Sequence, residues 1–153
     1  RVMVFVKTKD QATEIGKYLE GMKVGEVRLL HSNKAQNARM NAVNDFKDGE
    51  VRVLVSTDVT ARGIDVFEVS HVVNFNVPST YEDYVHRIGR TGRAFKTGES
   101  LTFVTSADEY HLQKIQALIK QRKFRRLLRH NQARDSACCL HIYSAENVAE
   151  TQI

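Results

Sequence analysis

The sequence predicts an α/β protein, a three-layer sandwich in which a mostly parallel sheet is flanked by helices. Three observations predict it. Short continuous apolar runs such as Val2 to Val6 read as strands buried on both faces. Between them, apolar residues recur at helical spacing, as at Ala12, Ile15, Leu19 and Met22. Strand and helix then alternate down most of the chain, which implies parallel pairing through right-handed crossovers.

The elements follow in order. Val27 to Leu30 is a second strand, and Met40, Val43 and Phe46 mark a second helix ended by Asp48-Gly49. Val51 to Val55 is β-rich and runs into a polar elbow, Ser56-Thr57-Asp58. Val72 to Phe75 makes a fourth strand, closed by Pro78. Thr80 to Arg87 reads as a short helix leading into a loop with Gly89 and Gly92. Leu101 to Val104 is a fifth strand, and Leu112, Ile115, Leu118 and Ile119 line a last helix. From about Phe124 the periodicity fades. The expected organisation is a domain over 1–122 and a basic, then irregular, tail over 123–153. No internal repeat or low-complexity tract interrupts it.

A chain of 153 residues, 42% hydrophobic, is long enough to bury one real core. No apolar run approaches the ~20 residues that cross a bilayer, and no charged segment followed by an apolar one opens this sequence, so secretion is not expected. Because Arg1 already stands at the edge of a strand, a piece of a longer polypeptide is expected. The two cysteines, Cys138 and Cys139, are adjacent and have no third to pair with. An intracellular, cytoplasmic protein is the expectation.

The net charge of +5 is unevenly placed. Residues 1–119 hold 16 Lys/Arg against 15 Asp/Glu, whereas residues 120–153 hold seven against three. The body is therefore no general polyanion sponge, and phosphate binding there must rest on particular residues. The tail cluster Lys120, Arg122, Lys123, Arg125, Arg126, Arg129 reads equally well as a solvated helix face or as a nonspecific nucleic-acid contact.

In parallel sheets, ligands sit beyond the carboxyl ends of the strands. Four segments are expected there: Lys7-Thr8-Lys9, His31 to Arg39, Ser56 to Asp65, and the loop from Gly89 to Arg93. The densest is His86-Arg87-Ile88-Gly89-Arg90-Thr91-Gly92-Arg93, with three guanidiniums, an imidazole and two glycines in eight residues. A guanidinium is a planar fork of donors suited to phosphate oxygens, and glycine admits close backbone approach. Arg90 and Arg93 flank a Thr-Gly turn, so both can aim at one phosphate. In Ser56 to Asp65, Thr57 suits donation to a phosphate oxygen and Asp65 suits ribose hydroxyls. Asp58 alone reads as a cap of the next helical turn. Gln36 and Arg39 share one helix face, near an N-terminus able to hold a backbone phosphate.

No G-x-x-x-x-G-K-[ST] loop occurs, so the chain cannot cradle a nucleoside triphosphate in the P-loop manner. Asp108-Glu109-Tyr110-His111 mimics a magnesium-binding box. Three residues separate it from its strand, however, and Ser106 or Asp108 as a helix N-cap accounts for it. No metal site is expected.

Taken together, these segments resemble the C-terminal RecA-like lobe of DEAD-box ATP-dependent RNA helicases, in superfamily two, over about residues 1–120. Val4 to Lys9 is similar to motif IV, Gln36 to Arg39 to the QxxR motif, Ser56 to Asp65 to motif V, and His86 to Arg93 to motif VI. Within the family the body is most similar to bacterial RhlE-type helicases. Two positions depart from the pattern: Ser32 follows His31 where the family often has glycine, and Asn76 stands where it often has aspartate.

The resemblance implies roles. Arg90 and Arg93 would be arginine fingers on the γ-phosphate of ATP. Asp65 and Gly63 would serve the nucleotide side, and His86 and Arg87 would couple it to the lobe interface. Thr8, Gln36, Arg39, Thr57 and Arg62 would hold the RNA backbone, without sequence preference. ATP and Mg2+ would be bound mainly by an N-terminal lobe of the same polypeptide, and the chain alone would be inactive. A non-catalytic RNA-binding module and a superfamily-two DNA helicase lobe are the alternatives.

Overall fold

The structure, a computed structural model, describes residues 1–61, 64, 66, 69–91, 98–129 and 138–144; for 121–129 and 138–144 it describes the backbone alone. Six strands form one sheet: β1 (Val2–Val6), β2 (Val27–Leu30), β3 (Val53–Thr57), β4 (His71–Asn74), β5 (Gly98–Val104) and β6 (Cys138–Ser144). Their order across the sheet is β2-β3-β1-β4-β5-β6, and every pairing is parallel. The helices are α1 (Lys9–Gly21), α2 (Gln36–Asp48), α3 (Asp58–Ala61), α4 (Tyr81–Ile88) and α5 (Glu109–Arg129).

The two faces of the sheet are covered differently. Met3, Phe5, Leu54 and Val72 point to one face and pack with Ala42 and Phe46 of α2 and with Ala61 of α3. On that face, too, α4 and α5 pack through Tyr84 and Ile115 around Val77 and Val104. The opposite face carries Val4, Val6, Val53 and Val55, packed against Ala12, Ile15 and Leu19 of α1. Gly16 lets α1 approach β2 closely: a Cβ there would stand 2.4 Å from Leu29 Cδ2. The last helical turn of α2 closes on Gly49 at φ 86°, the left-handed stop that glycine adopts without strain.

Three expectations needed correction. β3 starts and ends two residues later than the apolar run, because Ser56 and Thr57 extend the strand while their hydroxyls bond locally. The N-cap before the last helix is Thr105: it and Asp108 form a reciprocal capping box, with Thr105 N 3.1 Å from Asp108 Oδ2. Regular structure also does not end near residue 124. α5 continues to Arg129, and residues 138–144 pair with β5 as a sixth strand. The run Leu140-His141-Ile142-Tyr143 has the alternation and residue types of a strand, so this signal was present in the sequence.

Candidate functional site

The carboxyl edge of the sheet is organised by one arginine. Arg87, in the last turn of α4, is 3% exposed. Its Nε donates to Asp58 Oδ1 and its Nη2 to Asp58 Oδ2, both at 2.7 Å, a bidentate pair between the helix and the residue that follows β3. Its Nη1 donates to Asn76 O at 2.8 Å and to Asn74 Oδ1 at 3.2 Å. The guanidinium carbon lies 5.2 Å from the centroid of the Phe5 ring. The buried Asn74 passes the network on, donating from Nδ2 to Thr102 Oγ1 at 3.0 Å. Asn76 Oδ1 accepts from Lys7 N at 2.9 Å. Charge-assisted bonds around one buried cation thus tie the ends of β3 and β4 to α4, and neutral bonds from Asn76 and Asn74 extend the network to β1 and β5.

Asp58 is therefore not simply a cap. A carboxylate directly after a buried strand, and an asparagine inside the apolar run Val72-Val73-Asn74-Phe75, each need a buried partner. Both find it in Arg87. That asparagine was the one sequence signal for the network, and it named no partner.

Arg90 makes a different set of bonds. Its Nη1 donates to Ile64 O at 2.7 Å and, more weakly, to Val66 O at 3.5 Å, and its Nη2 donates to Ala61 O at 3.2 Å. The guanidinium grips backbone carbonyls of the segment that follows α3. Next to it, the buried Thr91 hydroxyl donates to Val69 O, and Val69 N donates to Arg90 O at 3.2 Å. These anchors lie just before β4 begins, at the amino edge of the sheet. At ~3.3 Å per residue, they are about 16 Å along the strand from Asn74. The turn at Gly89 to Thr91 is thus not at the carboxyl edge where the sequence placed it; Arg87 is the part of that motif that reaches the edge.

The other candidates are spread along the carboxyl edge. Thr8 caps α1, its Oγ1 accepting from Gln11 N at 3.2 Å. Thr57 Oγ1 is 2.9 Å from Thr60 Oγ1, and Thr60 in turn donates to Leu30 O at 2.9 Å, joining the ends of β2 and β3. Gln36 opens α2 and is exposed; Arg39, one turn later, has no side-chain partner among the described residues. His86 is exposed on α4. Arg62, Gly63, Asp65 and Arg93 lie outside the described residues. Among the described residues no group of three His, Cys, Asp or Glu side chains is placed to hold a metal ion.

His31, directly after β2, is 5% exposed, and neither ring nitrogen has a hydrogen-bond partner among the described residues. Burial holds its pKa below the usual histidine value, helped by Lys34 and Lys9 and opposed by Asp10. The imidazole is thus neutral in the folded state where it would be protonated in the unfolded chain. The unfolded state binds the extra proton, so stability falls as pH drops through the ordinary histidine range, about 6.5, toward the lowered folded value. Replacing His31 with asparagine is expected to flatten the loss of melting temperature between about pH 6.5 and 5, measured by thermal unfolding across that range.

Residues 1–95 match the family model described as the helicase conserved C-terminal domain. The Rattus norvegicus protein named probable ATP-dependent RNA helicase DDX4 is 45% identical over 120 residues, covering 78% of this chain and 16% of the relative. Among solved structures, the Escherichia coli DEAD-box protein SrmB bound to regulator of ribonuclease activity A superposes with a TM-score of 0.69 at 38% identity, covering 75% of this chain and 67% of that one. A variant of Saccharomyces cerevisiae Dbp5 bound to RNA and ADP BeF3 gives a TM-score of 0.68 at 36% identity, over 76% of this chain and 31% of that one. The chain spans a fifth or less of the length of the curated relatives it matches.

Proposed function

Because the chain belongs to the helicase conserved C-terminal domains, in the form that DEAD-box ATP-dependent RNA helicases carry, we propose that it acts as the second RecA-like lobe of such an enzyme. Such a lobe drives ATP-dependent unwinding of short RNA duplexes together with an N-terminal lobe of the same polypeptide. The names DDX4, SrmB and Dbp5 support the DEAD-box class and give no separate support to the RhlE-type subfamily.

One observation carries the reading: Arg87 joins motif VI to motif V through Asp58 and leaves Arg90 beside the motif V backbone. In plain nucleic-acid binding that buried link would only hold the lobe together. In a two-lobed motor it is a rigid lever, because a shift of the arginine loop moves the end of β3 and with it Thr57 and Thr60. We assign Arg90 and Arg93 as fingers that neutralise charge on the γ-phosphate once the lobes close. We assign Asp65 and Gly63 to the nucleotide side and His86 to coupling at the lobe interface. Arg87 couples the two sides from within the lobe rather than by touching ligand. Thr8, Gln36, Arg39, Thr57 and Arg62 hold RNA through its sugar-phosphate backbone. Thr57 needs only a rotation of its hydroxyl away from Thr60 to donate to a phosphate oxygen, while Thr60 keeps its bond to Leu30 O.

This chain's guanidiniums suit the outer side of a triphosphate, whereas the P-loop and the magnesium ligands belong to the other lobe. ATP with Mg2+ is therefore held mainly there. In this structure the donors of Arg90 rest on the carbonyls of Ala61 and Ile64; in the proposed mechanism, closure of the lobes draws them to the nucleotide. No helix among the described residues is long and apolar enough to cross a membrane.

The purified 153-residue chain is expected to hydrolyse no ATP above a contaminant control, with or without RNA. Turnover that co-purifies with the chain and disappears in Arg90→Ala would overturn the division of labour between lobes.

A further inference from the structure

One buried side chain at the carboxyl edge has no partner for either of its polar atoms. His31 is nine-tenths and more buried, and neither Nδ1 nor Nε2 makes a hydrogen bond among the described residues. Such a group points to a water or an ion as its partner. The fold places the ring under the start of α1. Leu29, two residues earlier on the same face of β2, packs against Gly16 of α1. His31 lies further along toward the carboxyl edge, where α1 begins.

The surroundings of the ring favour an anion. The charged groups that act on it are Lys34, and Lys9 and Asp10 in the first turn of α1. Lys34 is turned back toward it, its N–H donating to His31 O at 3.1 Å. Both lysines are exposed, and neither is paired with a carboxylate among the described residues. The N-terminal end of α1, a 13-residue helix, adds to their positive potential. Asp10 opposes them alone.

The flanking residues fix which anion fits. Thr8, beside Lys9, uses its Oγ1 as an acceptor for Gln11 N and keeps its proton to donate. On the other side Gln36 and Arg39 open α2, where the N-cap Ala35 supplies no side-chain bond. Thr8, Gln36 and Arg39 are assigned above to the RNA backbone, and Lys9, His31 and Lys34 lie between them. Resting on that reading, we propose that His31, Lys9 and Lys34 form a site for one further phosphodiester of the RNA, and that the imidazole takes a proton from solvent as the phosphate arrives. One ring nitrogen then donates to a phosphate oxygen, and the two lysines supply charge.

The sign of the pH dependence follows. In the free lobe burial, then Lys34 and Lys9, keep the ring neutral, against Asp10. A phosphate within about 4–6 Å reverses the balance, because an opposite charge favours the protonated form. The bound state holds more protons than the free state, so affinity rises as pH falls.

The test uses the two-lobed parent enzyme without nucleotide and a labelled oligouridine of about ten nucleotides. Fluorescence anisotropy at fixed ionic strength is expected to show affinity rising about tenfold between about pH 7.5 and 5.5, and His31→Asn is expected to abolish that rise. Lys9→Gln and Lys34→Gln should each weaken binding and reduce the slope of log affinity against log salt by about 0.7. NMR of the histidine rings, with His31 identified by its loss in His31→Asn, should show that ring protonating at higher pH with RNA than without.

A rise in affinity that survives His31→Asn overturns the proposal. So does a His31 titration that RNA leaves unmoved, the result for a ring that holds only a buried water. Unchanged salt slopes in both lysine variants overturn it too, and those variants keep the ring in place should His31→Asn fail to fold. Binding with an unmoved titration overturns this site alone, whereas no RNA binding at any pH overturns the lobe reading and the site with it.

Discussion

Replacing Asp58 with alanine is expected to lower the free energy of unfolding by about 3–5 kcal/mol, the cost of leaving a buried charge without its partner. The orphan would be Arg87, which water reaches at only 3% of its surface. Replacing Arg87 with alanine should cost less, about 3 kcal/mol, because the carboxylate it abandons is already 28% exposed and can turn toward water. This order discriminates between roles. As a mere helix cap, Asp58 would be worth about 1 kcal/mol. Urea denaturation of the two variants, followed by far-UV circular dichroism, measures both. A double variant that loses about as much as Asp58→Ala alone would show that the two residues act as one unit.

The second large effect concerns the nucleotide. In the two-lobed parent enzyme, Arg93→Ala is expected to lower the RNA-stimulated kcat for ATP by about 10³-fold or more, the scale of a lost arginine finger. Its affinity for single-stranded RNA should stay unchanged. Arg90→Ala should cost a similar factor and also weaken RNA binding, because Arg90 holds the carbonyls of Ala61 and Ile64 close to Thr57, the proposed RNA contact, and its partner Thr60. Steady-state ATPase rates at saturating RNA, set beside RNA titrations without nucleotide, separate the two arginines. Loss of RNA affinity with full ATPase in Arg93→Ala would make that arginine an RNA ligand instead.

Much of the fold was legible because the buried strands are written as unbroken apolar runs. β1 and β2 begin and end where Val2 to Val6 and Val27 to Leu30 do. Legibility failed where polar residues satisfy themselves inside the sheet. Ser56 and Thr57 continue β3 by bonding within their own turn, and Gly98 to Ser100 open β5 through pairing with β4 that no apolar residue announces.

At the site, the residue types declared their chemistry but not their partners. Arg87 looked like a ligand-facing group among others, yet Asp58 lies 29 residues away in sequence and Asn74 lies 13, and only the folded sheet brings them to one point.

The most direct test of the central claim is a crystal structure of the two-lobed enzyme with RNA and ADP-beryllium fluoride. The guanidiniums of Arg90 and Arg93 are expected within about 3 Å of the fluoride group, with Arg90 withdrawn from Ala61 O and Ile64 O and the Arg87–Asp58 pair intact. A closed complex in which Arg90 still rests on those carbonyls, while groups of the other lobe alone surround the fluoride, would contradict it.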